Sequence, residues 1–313
     1  MKPFLSVIVP AHNEEAYIEL CLNSLLKQDY GLENYEIIVV DNNSTDATKK
    51  IIERFSGVKY LFKKDGPVGA VRNYGAKESQ GEYLVFIDGD CLAPEVWLSR
   101  GINLLLSSTI SAFGGRYDLE ENASWIERYW LLGDKNRQSK HQDLLGGAIF
   151  ISKSDFLQVN GFDETITSGE DTKLTRDLKA IGKEVVIYQD LNVVHLGNAK
   201  TVKSFIMRQA WHSENYLKTP LESIKDPTFI LTVLFSCALI FSLTSLTFFS
   251  IEFSIFGLIF ALAIPNVFSI KRITRSGSAN TLVKHYPKIY IIDLLYMLGR
   301  TAGLGRALKK AIK

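Results

Sequence analysis

Along the first ninety residues, apolar runs and polar breaks alternate with two different periods. Leu5–Val9 is a mainly apolar run closed by Pro10, as expected of a strand buried on both faces. Glu15–Gln28 then places Ile18, Leu22, Leu25 and Leu26 at helical spacing. Tyr35–Val40 is apolar and β-branched, and ends in the turn-forming run Asp41 to Asp46, which contains a helix N-cap candidate. The same logic predicts a helix over Ala47–Phe55, a strand over Val58–Phe62, a helix over Val71–Ser79 and a strand over Tyr83–Ile87. Such strand–helix alternation predicts a parallel sheet covered on both faces, with ligands bound beyond the carboxyl ends of its strands. Residues 10–14, 41–46 and 88–90 all follow strands, so they should meet at one edge.

From residue 91 to 225 the pattern is less regular. Strands are expected at Gly146–Ile151, Glu184–Tyr188 and Val193–His195, and a helix at Asp171–Ile181. Beyond that the chain changes character. Thr228–Ile251 is 24 residues without a charge, and after Glu252 the run Phe253–Ile270 adds 18 more. A bilayer core takes roughly 20 apolar residues per helix. Two spans joined by a short turn make a hairpin with both ends on one side, and Lys271, Arg272 and Arg275 assign that side to the cytosol. The alternative is a buried helical pair of a soluble subdomain. Ile289–Leu298 is shorter, carries Asp293, and reads as an interfacial helix.

Charge sharpens this division. Lys271–Lys313 holds ten Lys or Arg against one acid, a net +9, which leaves −7 for residues 1–270 of a chain that totals +2. A basic tail directly after apolar spans points to an anionic membrane surface, not to nucleic acid. The three cysteines, Cys21, Cys91 and Cys237, are too far apart for a zinc motif or a disulfide framework, and fit a reducing compartment. The Phe4–Val9 run is too short for a signal-peptide core.

The sharpest chemical signal is Asp88-Gly89-Asp90 after an apolar strand. Continued strand alternation would send both carboxylates to one side, and Gly89 would let a bulky anion approach the backbone. Two such carboxylates suit Mg²⁺ or Mn²⁺ carrying a diphosphate; the alternative is a solvated acidic turn. Glu170-Asp171 opens a helix, whose N-terminus favours ionised acids; here the alternative is ordinary helix capping. Gly66, Gly69 and Gly75 lack the spacing of a dinucleotide fingerprint, and no Gly-Lys-Ser/Thr follows, so dehydrogenase and P-loop chemistry are excluded.

Four motifs in order, Val7 to Glu14, Val39 to Asp46, Gly66 to Gly75 and Asp88 to Asp90, together with Gly161-Phe162-Asp163-Glu164 and Gly169-Glu170-Asp171, resemble the family 2 glycosyltransferases over residues 4–200. The resemblance implies a GT-A fold, a Rossmann-like mixed α/β sheet for nucleotide-diphospho-sugars, here followed by the transmembrane hairpin. It divides the chain into a catalytic domain, 1–225, and a membrane-anchoring region, 226–313. It implies that Pro10, Ala11, His12, Asn13 and Glu14 line the nucleotide, and that Asp41 accepts from the base edge, uracil by preference. Asp88 would meet the ribose and Asp90 the metal–diphosphate, with Asp88 also a metal ligand and Gly89 part of the donor site; Arg72 would support the nucleotide side, and a structural ion pair is the alternative for Arg72. Asp171, beside Glu170, would be the catalytic base. His195 would ligate the metal, or else be a satisfied core histidine. Arg208-Gln209-Ala210-Trp211 departs from the Gln-x-x-Arg-Trp of processive members, which argues against chain elongation; Trp211 would contact acceptor or the membrane interface.

The function implied is an inverting, metal-dependent transfer from a nucleotide-sugar to a hydroxyl of a membrane- or lipid-linked acceptor. It would operate at the cytosolic side of the cell membrane, with Mg²⁺ or Mn²⁺ as cofactor and no nucleic acid as partner. Two alternatives share parts of the pattern: a polyprenyl-phosphate sugar synthase and a non-catalytic scaffold of polysaccharide assembly.

Overall fold

A computed structural model describes residues 2–132, 143–217, 220–276 and 283–312. The chain forms two compact units. The first comprises Met1–Glu120 with Gln138–Gly197, and the second Glu121–Arg137 with Asn198–Lys313.

The first unit is built on a seven-stranded mixed sheet. Its strands are β1 (Leu5–Ala11), β2 (Tyr35–Asp41), β3 (Val58–Phe62), β4 (Tyr83–Phe86), β6 (Ala112–Gly114), β8 (Ile149–Ser152) and β9 (Val185–Ile187), in the order β3-β2-β1-β4-β8-β6-β9. The first four run parallel, as the strand–helix alternation predicts, whereas β8 lies antiparallel to both β4 and β6. A second, three-stranded sheet has the order β5-β10-β7, from β5 (Cys91–Leu92), β10 (Val193–His195) and β7 (Tyr117–Asp118).

Alternation divides the core. Val7, Val9, Ile37, Val39 and Val85 face one cluster with α1 (Ile18–Leu26), α2 (Thr48–Ile52) and α4 (Trp97–Ser107). Ile8, Leu84, Phe86 and Ile149 face the opposite cluster with α6 (Lys153–Gln158) and α7 (Glu170–Ala180). The helix α3 (Val68–Lys77) lies against β1 and β2 at Gly75, where a Cβ would come within 2.6 Å of Ile8 Cγ2. That close helix–sheet approach, and not a phosphate, accounts for this member of the glycine triplet. Pro10 is tolerated in a central strand because β4 ends opposite Ile8. Strand parity turns the Pro10 nitrogen, which has no hydrogen, to the side that β4 has already left.

The second unit is helical: α5 (Trp125–Leu131), α8 (Val202–Ser213), the single turn α9 (Pro220–Ser223), α10 (Pro227–Phe248), α11 (Ile251–Arg275) and α12 (Tyr286–Ile312). The helices α10 and α11 form a hairpin across Phe249–Ser250, with Ser242 Oγ donating to the Ser254 carbonyl at 2.8 Å. Both are long and apolar enough to cross a membrane, and about a third or less of each is buried. Phe241, Leu243, Leu246, Phe256, Ile259 and Phe260 lie exposed along them. Glu252 is not between the helices but in the first turn of α11, whose exposed amides favour an acid. The expected interfacial segment 289–298 is part of the longer α12. The basic tail expected over 271–313 includes residues 277–282 and 313, which lie outside the described residues.

Where α11 ends, Arg272 donates to the Asp293 carboxylate of α12 and to the Tyr129 and Trp130 carbonyls that close α5. Its guanidinium lies 4.7 Å from the Trp130 ring centroid. Asp293, fully buried, also accepts from Ser269 Oγ at 2.6 Å. Both charges of a buried pair are therefore hydrogen-bonded, which offsets their desolvation.

Candidate active site

The loops that follow β1 and β2 are laced together by hydrogen bonds. Ala11 pairs with Asp41 across the strands. His12 Nδ1 lies 2.8 Å from the Asn42 carbonyl, which can only accept, so Nδ1 carries the proton. Asn13, at φ +57°, receives the Thr45 N–H on its Oδ1 and donates its own N–H to Ser44 Oγ. The Glu14 N–H donates to Thr48 Oγ1 at 2.7 Å. Asp41 is 1% exposed: its Oδ1 accepts the Ser44 N–H and its Oδ2 the Tyr60 hydroxyl, both at 2.9 Å. Each oxygen keeps a second acceptor position. Burial, then the bond to Asp41, pushes the Tyr60 phenol up, so it remains a donor.

Beyond β4 the strand geometry does not persist. Residues 88–90 form a turn closed by the Cys91 N–H on the Asp88 carbonyl, so alternation is not what gathers the carboxylates. The small sheet does this instead. His195 of β10 pairs with Cys91 of β5, and the Leu196 N–H donates to the Asp90 carbonyl at 2.8 Å. Ligand atoms of Asp88, Asp90, Cys91 and His195 consequently lie within 4.8 Å of one another. His195 Nε2 is 3.5 Å from Asp90 Oδ2. Gly89 is held close, since a Cβ there would lie 3.3 Å from the Pro10 carbonyl oxygen. Two carboxylates and an imidazole are donors that fit Mn²⁺ or Mg²⁺. At Gly197 a side chain would collide with Asp90, so the missing Cβ keeps that carboxylate in place. Burial raises the Cys91 thiol, and a neutral thiol is a poor ligand for a hard cation.

Arg72 joins this turn to α7. Its side chain is 3% exposed and donates to Asp88 Oδ1 and to Glu170 Oε1, both at 2.6 Å. Of the two sequence alternatives for Arg72, the ion pair is thus present, with two partners at once. Burial alone would raise the Asp88 carboxyl, but Arg72, then His195, hold it below the usual range. Asp171 behaves oppositely. Burial and the adjacent Glu170 outweigh Arg72 and push it up to about 6, although its place at a helix N-terminus favours the ionised form. Its Oδ2 accepts the Gly146 N–H at 3.1 Å.

Three features of this site escaped the sequence reading. Tyr117 donates to Asp88 Oδ2 at 3.0 Å, and burial raises its phenol, which keeps the proton. Gly146 and Gly147, expected to begin a strand, form instead a turn before β8 that gives N–H groups to Asp171 and Tyr117. Gly197 is the third.

The family model for Glycosyl transferase family 2 matches residues 6–164, half of the chain. The chain belongs to glycosyltransferase family 2. Among relatives of this glycosyltransferase, Glycosyltransferase AglE of Haloferax volcanii is 30% identical over 203 residues, 62% of this chain and 67% of that one. The poly(ribitol-phosphate) beta-N-acetylglucosaminyltransferase TarS of Staphylococcus aureus is 42% identical over 90 residues; the match spans 27% of this chain and 16% of TarS. A TarS 1–349 structure in complex with UDP-GlcNAc has a TM-score of 0.50 at 18% identity, over 99% of this chain and 92% of that one. The mannosyltransferase PcManGT of Pyrobaculum calidifontis, solved with GDP-Man and Mn²⁺, has a TM-score of 0.64 at 18% identity, over 97% of this chain and 88% of that one. The mixed sheet of this family 2 glycosyltransferase thus has the GT-A fold.

Proposed function

We propose that this chain is an inverting, metal-dependent glycosyltransferase that moves a sugar from a nucleotide-sugar, UDP-linked by preference, to a hydroxyl of a membrane- or lipid-linked acceptor. The observation that carries the reading is the span of Arg72. One buried guanidinium reaches both the acidic turn and the helix that bears Asp171. Donor handling and proton removal are thereby fixed to one rigid frame.

In this reading Pro10, Ala11, His12, Asn13 and Glu14 line the nucleotide, and Asp41 accepts from the base through an oxygen position that Ser44 and Tyr60 leave open. Asp90 and His195, with Asp88, hold Mn²⁺ or Mg²⁺. When bound there, the cation supplies charge stabilisation to the departing diphosphate. Gly89 lets the donor near the backbone, and Arg72 keeps Asp88 ionised. Asp171 takes the proton of the acceptor hydroxyl on its carboxylate as that oxygen attacks the anomeric carbon. Glu170 serves through Arg72, which fixes the start of α7. One displacement inverts the anomeric centre. The hydroxyl acceptor is favoured over a phosphate because a base is present where a phosphate would need none.

The test is donor binding by calorimetry. A nucleotide-sugar should bind with Mn²⁺ and not with EDTA, and Asp90→Asn should lose the Mn²⁺-dependent part while remaining folded. Unchanged affinity in that variant removes the metal assignment. A product that retains the donor's anomeric configuration removes the single displacement.

For location, the reading takes 1–225 as the catalytic part and 226–313 as the anchor, in a multi-pass arrangement with the catalytic part cytosolic. The exposed apolar faces of α10 and α11 need a non-aqueous partner. In a Cys237→Ser background, an impermeant maleimide applied to intact cells should label Glu252→Cys and miss Lys288→Cys. External labelling at 288 overturns the topology, and recovery of the full chain in the aqueous fraction without detergent removes the membrane claim.

A further inference from the structure

We propose that Tyr117 is the positioning residue of the cation site, holding Asp88 and His195 in one geometry. This rests on the reading of Asp88, Asp90 and His195 as a divalent-cation site. The two groups come from different sheets. Asp88 follows β4 of the large sheet, whereas His195 ends β10 of the small one. Ligands on separate elements need a shared reference, and Tyr117 touches both.

Tyr117 lies on β7, beside β10, with Val193 as its register partner. Its hydroxyl has one proton and two acceptor positions. The Gly147 N–H, 3.1 Å away, can only donate to it. The hydroxyl proton is therefore directed at Asp88 Oδ2, 3.0 Å away. With Oδ1 bound to Arg72 at 2.6 Å, the Asp88 carboxylate is held on both oxygens and cannot rotate freely. The Tyr117 ring meets the His195 imidazole edge-on, with centroids 4.5 Å apart and planes at 68°. One side chain thus fixes a carboxylate through its hydroxyl and an imidazole through its ring. Gly147 makes room for this: a Cβ there would lie 2.7 Å from the Tyr117 hydroxyl and 2.8 Å from Asp88 Oδ2.

Groups that orient metal ligands are worth about 10–100-fold in metal affinity. The experiment is a Mn²⁺ titration of the full chain in detergent, read by electron paramagnetic resonance of free Mn²⁺, with folding followed by circular dichroism in EDTA. Tyr117→Phe keeps the ring and loses the hydroxyl, and its Kd for Mn²⁺ should rise about 10-fold. Tyr117→Leu loses both, and its Kd should rise further, towards about 100-fold. Because the hydroxyl acts through Asp88, Tyr117→Phe combined with Asp88→Asn should bind no more weakly than Asp88→Asn alone. A role in stability alone would lower the melting temperature in EDTA and leave Kd unchanged in the folded variants. An unchanged Kd in folded Tyr117→Phe, or full additivity with Asp88→Asn, overturns the proposal while the metal site stands. Failure of the unmodified chain to take up Mn²⁺ overturns the metal site, and the proposal with it. If Tyr117→Leu does not fold, the Phe variant decides.

Discussion

Asp171→Asn should cost this enzyme roughly 10²–10⁴ in transfer, the scale of a lost general base, while donor and Mn²⁺ still bind. The amide is isosteric but has one acceptor oxygen where Asp171 uses two, for the Gly146 and Thr172 N–H groups, so one of these backbone bonds is lost at the start of α7. The capacity to take a proton is lost with it, and circular dichroism checks that the variant stays folded. The pH dependence separates this from a general disturbance. As the proposed base Asp171 would work ionised, and burial with Glu170 beside it raises its carboxyl to about 6. A raised acid is protonated over a wider acidic range, so kcat/KM should be high above that value and fall as pH drops through it. In Asp171→Asn the residual rate should lose this limb. A variant that keeps near-normal rates, or keeps the same limb at a reduced rate, would assign the base elsewhere.

Arg72→Met should damage the fold more than any other single change in the site. The methionine roughly fills the space but leaves Asp88 and Glu170, at 24% and 8% exposure, facing each other without the cation between them. Removing one member of a buried ionic cluster costs about 3–5 kcal/mol. For a unit of this size each kcal/mol shifts the melting temperature by about 2–4 °C, so a fall of roughly 6–20 °C is expected. The loss should shrink as pH is lowered. Without Arg72 the buried carboxyls take up protons more readily folded than unfolded, so the folded variant gains stability relative to the unfolded chain as pH falls. Calorimetry across pH would measure this. A drop of less than about 1 kcal/mol at neutral pH, the range of an exposed ion pair, would show that Arg72 is not holding the two acids.

Legibility in the sequence followed the length of the elements. The parallel strands β1, β2 and β4 announce themselves because both faces are buried and most positions are apolar, whereas the edge strand β3 is legible from its flanking turns and short apolar run. Val58–Phe62 and Val193–His195 have the bounds that the pattern predicts. Two-residue strands have no period to detect, so β5 and β7 were invisible, and Tyr117 with them. The acids were legible as residues but not as a geometry. Strand alternation would have brought Asp88 and Asp90 together, whereas the structure does so with a turn and a pairing to a strand more than a hundred positions later. Gly146 and Gly147 looked like the flank of a strand. Their use as N–H donors depends on Asp171 and Tyr117, neither of which is near them in sequence.

The Arg272 contact also has a history set by chain order. As ribosomal synthesis proceeds, Arg272 emerges 21 residues ahead of Asp293, its partner in the folded chain. During that interval it has no carboxylate of α12 to pair with, and in the proposed membrane arrangement its charge then counts with Lys271 among those that hold the end of the hairpin on one side. Once α12 is made, the same guanidinium turns inward and becomes a strut between three helices. In that proposed arrangement the residue serves first as an instruction to the insertion machinery and afterwards as a fastening. Asp293→Asn would leave the instruction intact and loosen only the fastening.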